Sequence, residues 1–306
     1  MNHSTVPVEV PSPAHEPHSP HELHEPQHEA PDRARRFGGV SRLYGEKALR
    51  RFEAAHVVII GIGGVGSWAA EALARTAVGH LSLVDLDHVA ESNTNRQLHA
   101  LDGNYGKAKI TAMAERIRLI DPDCRIDEID DFITPENFET VLGGGCDYVI
   151  DAIDDTRTKT ALIAWCAARG QNIITIGGAG GQLDPTRIRI EDLSRTIQDP
   201  LLAKVRQQLR QQHGFPRSPK TRFGIAAVYS DEPLRYPDRV DPDASGSGAC
   251  EIGESAAPSA HADDASLPMG GPAGLNCAGF GSSVCVTASF GLAAAAHVLR
   301  VIADAP

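Results

Sequence analysis

The feature that most constrains the fold is a strand, a glycine-rich turn, a helix and a second strand within residues 56–85. HVVII at 56–60 is a β-branched apolar run, which predicts a buried strand. It leads into GIGGVG at 61–66, into the helix-forming residues SWAAEALARTA, and then into LSLVD at 81–85. This order predicts a β-turn-α-β unit of a parallel sheet.

Gly61, Gly63 and Gly66 have the GxGxxG spacing between this strand and helix. Glycines there let the chain turn tightly and bring backbone N–H groups close to phosphates at a helix N-terminus. Asp85 ends the second strand, where an acidic side chain can accept hydrogen bonds from ribose hydroxyls. GxGxxG alone is weak evidence, but together with the strand, the helix and the acid it predicts a nucleotide-binding site.

Strands and helices continue to alternate to about residue 180. The later elements expected are a helix at 107–120, strands at 125–130 and 148–153, a helix at 156–169 and a strand at 172–177. They predict an α/β fold with a Rossmann-like, doubly wound and mainly parallel sheet. Strands at 187–193 and 223–230, around a polar helix at about 200–212, predict a mixed C-terminal extension.

Composition separates a tail from one folded domain. Residues 1–35 are rich in His, Pro and Glu, which predicts a disordered tail; weak binding of a divalent metal by its histidines is the less favoured alternative. Residues 36–306 are predicted to form the domain, with a mobile insert at about 237–274 that is rich in Pro, Gly, Ser, Ala and Asp.

The apolar stretch at 277–303 has two interpretations. Its length allows a peripheral association with a membrane. Its Gly, Ala and Ser content, together with His297 and Arg300 near its end, favours a buried strand or loop that leads into a packed helix.

Cysteine usage predicts a cytoplasmic protein without structural zinc. None of the six cysteines forms a CxxC pair, so the spacing of a zinc ribbon is absent. The N-terminus has no charged region followed by an apolar stretch, so no secretory signal is expected. Free thiols are then the expectation for a reducing compartment.

The formal net charge of −11 argues against a generally basic nucleic-acid binder. The charge is unevenly distributed, because the window 200–224 contains no acidic residue. Its basic residues are Lys204, Arg206, Arg210, Arg217, Lys220 and Arg222. Such a face can bind phosphates by counterion release, and a solvated helix face is the alternative.

Polar residues after the strands suit chemistry on a triphosphate. SNTNRQ at 92–97 and YGKAK at 105–109 follow the second strand, and DAIDD at 151–155 follows the fourth. Strand ends converge on the ligand crevice of an open sheet, so these residues are expected to meet there. When a carboxylate attacks the α-phosphate, Arg and Lys can stabilise the negative charge and Asp can hold magnesium.

GIGGVG, LVDLDHVAESNTNRQ, GKAK and DAIDD resemble the adenylation domain of the ubiquitin-activating-enzyme superfamily, the ThiF–MoeB group, which includes the activators of sulfur-carrier proteins. Five further segments are similar to the branch whose members dehydrate threonylcarbamoyladenosine in tRNA. They are RFGGVSRLYG (36–45), GSWAAEALART (66–76), GGAGGQLDPT (177–186), TIQDPL (196–201) and NCAGFG (276–281). The resemblance covers about residues 36–236 and 275–303.

The resemblance implies ATP- and Mg²⁺-dependent cyclisation of threonylcarbamoyladenosine beside the tRNA anticodon. The threonyl carboxylate would be adenylated, and its carbamoyl group would then displace AMP and close a ring. The implied catalytic residues are Arg96, Lys109, Asp154, which is also the metal ligand, and Cys277. The implied nucleotide-binding residues are Gly61, Gly63, Gly64, Gly66, Asp85, Asp87, Asn93, Arg96, Gln97, Lys109, Asp154 and Asp155.

Superfamily members form dimers, so the resemblance also implies a homodimer, in which Arg36 or Arg42 is the candidate to reach the partner's site. A cysteine-desulfurase or sulfur-acceptor protein is a further candidate partner. Cys277 aligns with a cysteine of the branch, and a covalent role and a structural role are both open. Cys285 is expected to lie in the core.

Three other functions remain open. An activator of a ubiquitin-like or sulfur-carrier protein would share the chemistry but would require a small protein with a C-terminal Gly-Gly. A NAD-binding oxidoreductase would have no role for Lys109 and Asp154. A nucleotide-sensing module without turnover would tolerate the loss of Arg96 with a modest change in affinity.

Overall fold

The computed structural model describes residues 32–236 and 280–305, in which strands and helices largely alternate. The strands are β1 (His56–Ile60), β2 (His80–Val84), β3 (Arg125–Ile129), β4 (Tyr148–Asp151), β5 (Ile173–Ile176), β6 (Ile188–Asp192) and β7 (Ala226–Ser230). The helices are α1 (Arg33–Tyr44), α2 (Glu46–Ala54), α3 (Gly66–Ala74), α4 (Lys109–Ile120), α5 (Phe138–Leu142), α6 (Thr156–Arg169), α7 (Pro200–Gln212) and α8 (Val284–Ala303).

The seven strands form one sheet in the order β3-β2-β1-β4-β5-β7-β6. All pairs are parallel except β6 with β7, which are antiparallel. Side chains of β1 alternate between two apolar clusters, Val57 and Ile59 in one and Val58 and Ile60 in the other. Burial on both faces is typical of a doubly wound parallel sheet. The predicted fold class, including the mixed extension, is confirmed.

The register of the central strands brings their carboxyl ends to one level. Ile60 of β1 pairs with Val84 of β2 and with Asp151 of β4. The chain order reverses between β1 and β4, and ligands bind at such a switch point in open α/β sheets. The loops after β1, β2 and β4 therefore surround one crevice.

Helix α8 packs closely on α3. A Cβ atom at Gly291 would lie 2.3 Å from the Val65 carbonyl oxygen, just before α3. Phe290, Ala294 and Val298 of α8 are buried in the core. Although α8 is long and apolar enough to cross a membrane, 56% of its apolar window is buried inside the fold. The expected packed helix is confirmed, and core packing accounts for its composition.

Two details differ from the expectations. Cys285 is exposed, so its placement in the core was wrong. Val286 and Phe290 form the buried face of α8, and Cys285 lies on the adjacent, outward side. Helix α1 also begins at Arg33, within the segment 1–35 that was predicted to form the tail. The predicted insert at 237–274, Cys277 and residues 1–31 lie outside the described residues.

Candidate nucleotide site

A cavity of about 580 Å³ lies at the carboxyl ends of the central strands. Of the predicted site residues, Gly61, Gly63, Gly64, Asp85, Asp87, Asn93, Arg96, Gln97, Lys109, Asp154 and Asp155 line it. Gly66 lies behind this wall, where its Cβ would be 1.8 Å from the Gly61 carbonyl oxygen. Only glycine lets α3 begin this close to the turn. Cys277 is outside the described residues, so its covalent and structural roles both stay predictions.

Asp85 is held by the glycine-rich turn and by its own loop. Its Oδ2 accepts a hydrogen bond from the Ile62 N–H at 2.6 Å, and its Oδ1 accepts one from the Asp87 N–H at 2.9 Å. Burial raises the pKa of Asp85, although Lys109 Nζ lies 3.9 Å from Oδ1 and opposes the shift. The carboxylate is therefore fixed in position beside the phosphate-binding turn.

Lys109 is the first residue of α4 and is almost fully buried. Its Nζ lies 2.6 Å from Oδ2 of Asp87, a carboxylate that is itself largely exposed. A phosphate that entered the cavity would compete with Asp87 for this ammonium group. The arrangement can offer a desolvated positive charge where negative charge accumulates on a triphosphate.

Arg96 extends across the glycine-rich turn. A Cβ atom at Gly64 would lie 3.0 Å from Arg96 Cγ, so glycine leaves room for that side chain. Arg96 Nη1 donates to the Ser92 carbonyl oxygen at 2.9 Å. Asn93 is partly committed to local structure, because its Oδ1 accepts a hydrogen bond from the Ala90 N–H. Gln97 is buried, and its Oε1 has no hydrogen-bond partner among the described residues.

Asp154 and Asp155 follow β4 and differ in what their side chains do. Asp155 is the N-cap of α6, where its carboxylate accepts a hydrogen bond from the Thr158 N–H at 2.7 Å. Asp154 is exposed at the wall of the cavity. A carboxylate beside substrate phosphates is the usual protein ligand of Mg²⁺. The donor type at Asp154 therefore fits that ion.

A buried ion pair beneath Asp154 was not predicted. Lys159 Nζ lies 2.8 Å from Asp151 Oδ2, and both side chains are fully buried. Thr175 Oγ1 donates to the same carboxylate oxygen at 2.7 Å. These bonds fix the end of β4, from which Asp154 projects. The sequence contained a signal for the burial of Lys159. This residue shares a helical face with Leu162, Ile163 and Cys166, which are all buried.

Asp199 joins α7 to the loop after β5. Its Oδ1 caps α7 by accepting from the Leu202 N–H at 2.8 Å, and its Oδ2 accepts from the Gly178 N–H at 2.9 Å. Burial raises the pKa of Asp199. Gly177, Gly178 and Gly180 line the nucleotide cavity, so this one carboxylate holds its far wall against α7.

The basic window is divided between structural and exposed residues. Arg206 is half-buried and donates to Thr196 Oγ1. Arg210 donates to the Pro216 carbonyl oxygen and lies over the ring of Phe223. Lys204, Arg217, Lys220 and Arg222 are exposed. The prediction of a phosphate-binding face therefore applies to these four.

The two arginines proposed to reach a partner subunit also differ. Arg36 Nη1 donates to the Ile120 carbonyl oxygen of its own chain at 2.7 Å. Arg42 is exposed on α1. The choice between them stays a prediction.

Four cysteines lie among the described residues, and Cys124, Cys146, Cys166 and Cys285 are all free rather than joined in disulfides. Burial raises the pKa of Cys124, Cys146 and Cys166 to about 12, so these three thiols stay protonated.

Comparison with known proteins gives consistent matches. The model of the ThiF family matches residues 38–306. The chain is 48% identical over 266 residues to the tRNA threonylcarbamoyladenosine dehydratase of Escherichia coli, covering 87% of this chain and 92% of that protein. It is 48% identical over 265 residues to the Haemophilus influenzae protein of the same name, covering 86% and 92%.

The fold is similar to the crystal structure of the Escherichia coli tRNA N6-threonylcarbamoyladenosine dehydratase in complex with ATP. The TM-score is 0.73 at 45% sequence identity, and the match covers 88% of this chain and 94% of that one. The AMP complex of the same protein matches equally well, with a TM-score of 0.73.

Proposed function

This chain belongs to the ThiF family, and from that basis we propose that it is an ATP-dependent tRNA threonylcarbamoyladenosine dehydratase. The observation that carries the proposal is the convergence of Asp85, Arg96, Lys109 and Asp154 on one cavity, in a chain 48% identical to relatives of that name. The product is a cyclised threonylcarbamoyladenosine next to the anticodon.

The reaction takes place in two steps. An oxygen of the threonyl carboxylate attacks the α-phosphorus of ATP, and the bond from that phosphorus to pyrophosphate breaks. The carbamoyl group of the same side chain then attacks the activated carbonyl carbon, and AMP leaves with the oxygen that it had taken up. The net change in the nucleoside is the loss of one water.

The residues of the cavity supply electrostatic stabilisation and orientation. Asp85 accepts hydrogen bonds from the ribose hydroxyls, and the glycine-rich turn presents backbone N–H groups to the phosphates. Lys109 and Arg96 offset the charge that gathers on the phosphates during the attack. Asp154 would hold Mg²⁺, which would supply positive charge to offset the negative charge of the phosphates.

The direct test is mass spectrometry of nucleosides after incubation of threonylcarbamoyladenosine-containing tRNA with the protein, ATP and magnesium. A mild work-up is needed because the ring can reopen. The expected result is an ATP-dependent loss of one water mass from that nucleoside, with AMP as co-product. An unchanged nucleoside, with ATP–pyrophosphate exchange that requires a small protein ending in Gly-Gly, would instead indicate an activator of a carrier protein.

The roles of Lys109 and Asp154 have their own test. Lys109→Ala or Asp154→Ala is expected to lower single-turnover AMP formation by about 10²–10³-fold, the usual loss when one transition-state interaction is removed. The matched control is Lys107→Ala, since Lys107 is a partly exposed neighbour that pairs with Glu115. Near-normal turnover in either site variant, with the thermal stability unchanged, would refute its placement.

Family membership also supports a homodimeric and cytoplasmic enzyme. Sedimentation velocity at micromolar concentration checks the dimer. A cysteine-desulfurase or sulfur-acceptor protein stays a candidate partner, to be tested by binding of the purified proteins.

A further inference from the structure

A second opening lies beside the nucleotide cavity. It measures about 470 Å³ and is bounded by the beginning of α7 and by residues 233–236, with Gln198, Arg206, Leu234 and Tyr236 in its walls. We call it the side groove. Because the side groove lies near the nucleotide cavity, the residues between the two openings are of interest.

A small void lies between the two openings. It measures about 10 Å³, roughly the space of one water molecule. The void shares Asp199, Pro200 and Leu234 with the side groove, and it shares Gly178 and Gly180 with the nucleotide cavity. The wall between the side groove and the nucleotide cavity is therefore thin at Gly178 and Gly180.

Gln182 borders the void with an unused amide group. Its side chain is only 2% exposed, and neither Oε1 nor Nε2 has a hydrogen-bond partner among the described residues. Buried side-chain amides are normally paired, so this one needs a partner, which the single water that fits the void or a ligand group can supply. An amide offers one acceptor and two donors, which complements a carbamoyl group with its own N–H and C=O.

Aromatic and cationic residues line the side groove and the void. The ring of Tyr236, whose residue is 73% exposed, lies 5.2 Å from the ring of Phe280, centroid to centroid. Exposed aromatic rings are the usual surfaces on which unpaired RNA bases stack. Arg206 also lines the side groove, with its guanidinium donating to Thr196 Oγ1.

From this juxtaposition we propose that the side groove binds the modified nucleoside of the tRNA, an inference that rests on the proposed function. The base stacks on Tyr236 and Phe280, and Gln182 hydrogen-bonds with the carbamoyl group. The threonyl carboxylate then faces Gly178 and Gly180, which line both the void and the nucleotide cavity, and this wall must open for the carboxylate to reach the α-phosphate. Gln182 is thus assigned as a specificity-determining residue.

The test compares kinetics for the two substrates separately. Tyr236→Leu and Gln182→Leu are expected to lower kcat/KM for the modified tRNA at least tenfold, while the Kd for ATP changes less than twofold. Tyr236→Phe keeps the ring and is expected to retain activity. Leu183→Ala is the matched control, because Leu183 is exposed next to Gln182 but outside the side groove.

A second readout separates recognition from a general structural effect. The free nucleosides N6-threonylcarbamoyladenosine and adenosine are used as competitors of the tRNA reaction. The wild-type protein is expected to prefer the modified nucleoside, and Gln182→Leu is expected to lose that preference selectively. Because Tyr236 is exposed, its variants remain informative even if Gln182→Leu does not fold.

The outcomes are distinguishable. If the wild-type protein does not convert the modified tRNA, the proposed function fails. If the wild-type protein is active but Tyr236→Leu and Gln182→Leu keep kcat/KM for tRNA, the side-groove assignment is overturned. Equal losses of tRNA turnover and ATP affinity would also overturn it, since they indicate damage to the shared wall.

Discussion

Asp85 occupies its position at a cost to the stability of the fold. Burial raises its pKa, so between the unfolded and folded pKa values the folded protein binds more protons than the unfolded chain. The free energy of unfolding therefore falls as the pH rises through that interval, and the cost is fully present at neutral pH. Such a cost is expected where a carboxylate serves binding rather than folding.

Asp85→Asn should separate these two effects. Asn keeps only one acceptor oxygen, so one of the hydrogen bonds from the Ile62 and Asp87 N–H groups is lost at every pH. Because Asn does not ionise, we expect the free energy of unfolding of the variant, relative to that of the wild type, to be higher at pH 7 than at pH 4. The affinity for ATP should fall about 10- to 100-fold, because hydrogen bonds to a charged acceptor contribute about 1.5–3 kcal/mol. Urea denaturation measures the free energy of unfolding, and isothermal titration calorimetry measures the ATP affinity. The control is Asp102→Asn, at an exposed position. A stability difference between variant and wild type that does not change with pH, together with unchanged ATP affinity, would contradict this account.

His99 makes the protein sensitive to acid. It is 1% exposed, and neither ring nitrogen has a hydrogen-bond partner among the described residues. Burial, followed by the nearby positive charge of Lys109, lowers the pKa of His99 to about 4. Below about pH 6.5 the unfolded chain takes up a proton that the folded protein does not bind. Stability therefore falls as the pH drops from about 6.5 to 4.

His99→Leu should remove this loss. Between pH 7 and pH 5 the variant is expected to lose about 2 kcal/mol less stability than the wild type. His56 and His297 also have lowered pKa values, so the comparison must be the difference between the two proteins at each pH. Parallel pH profiles from urea denaturation would show that His99 does not titrate as described.

At the scale of elements, the helices with strong local signals were predictable from the sequence. Helix α6 has the predicted bounds, with Asp155 as N-cap and Gly170 in the left-handed conformation as C-cap. Helix α7 likewise begins with Asp199 as N-cap and Pro200 as its first residue. The grouping of site residues was also predictable, because parallel strands present their carboxyl ends together.

Features that depend on interactions distant in sequence were not predictable. Strand β7 begins at Ala226 rather than at 223, because the N–H groups of Phe223 and Gly224 donate to the Asp192 carboxylate instead of to a neighbouring strand. The pairing of Lys159 with Asp151 depends on how α6 packs on β4. The side groove likewise requires α7 and residues 233–236 to be adjacent.

The packing of α8 against α3 is expected to be sensitive to a single methyl group. Gly291→Ala would place its Cβ 2.3 Å from the Val65 carbonyl oxygen, so the two helices must separate. We expect a loss of about 1–3 kcal/mol in the free energy of unfolding. ATP affinity should fall as well, since Val65 belongs to the glycine-rich turn. Gly144→Ala is the control, because nothing lies within 4 Å of that Cβ. Equal stability of the two variants would contradict the close packing.

For the whole molecule, the distribution of charge matters more than its sum. A protein with a net charge of −11 must approach tRNA through a local basic surface. Arg206 and Arg210 are unsuitable probes, because each donates a hydrogen bond that stabilises the fold. Lys220 and Arg222 are exposed and give a cleaner test.

Lys220→Glu combined with Arg222→Glu should weaken binding of tRNA and reduce the salt dependence of its affinity. The slope of the logarithm of the binding constant against the logarithm of the salt concentration should become shallower by about 0.7–0.9 for each phosphate that the protein no longer neutralises. The control is Lys47→Glu with Arg50→Glu, which makes the same change in net charge on α2. Filter binding at several salt concentrations measures the slope. Equal weakening by both pairs would indicate a general charge effect rather than a local surface.

The packing of α8 on α3 also determines when the protein becomes competent during its synthesis. The glycine-rich turn and α3 leave the ribosome early, whereas α8, which supplies Thr287 to the wall of the cavity, emerges after most of the chain. A nascent chain without α8 exposes the apolar side of α3 and lacks part of that wall. We therefore expect nucleotide binding to be acquired late, and a chain that stops before residue 284 to be a target for proteases rather than a partial enzyme.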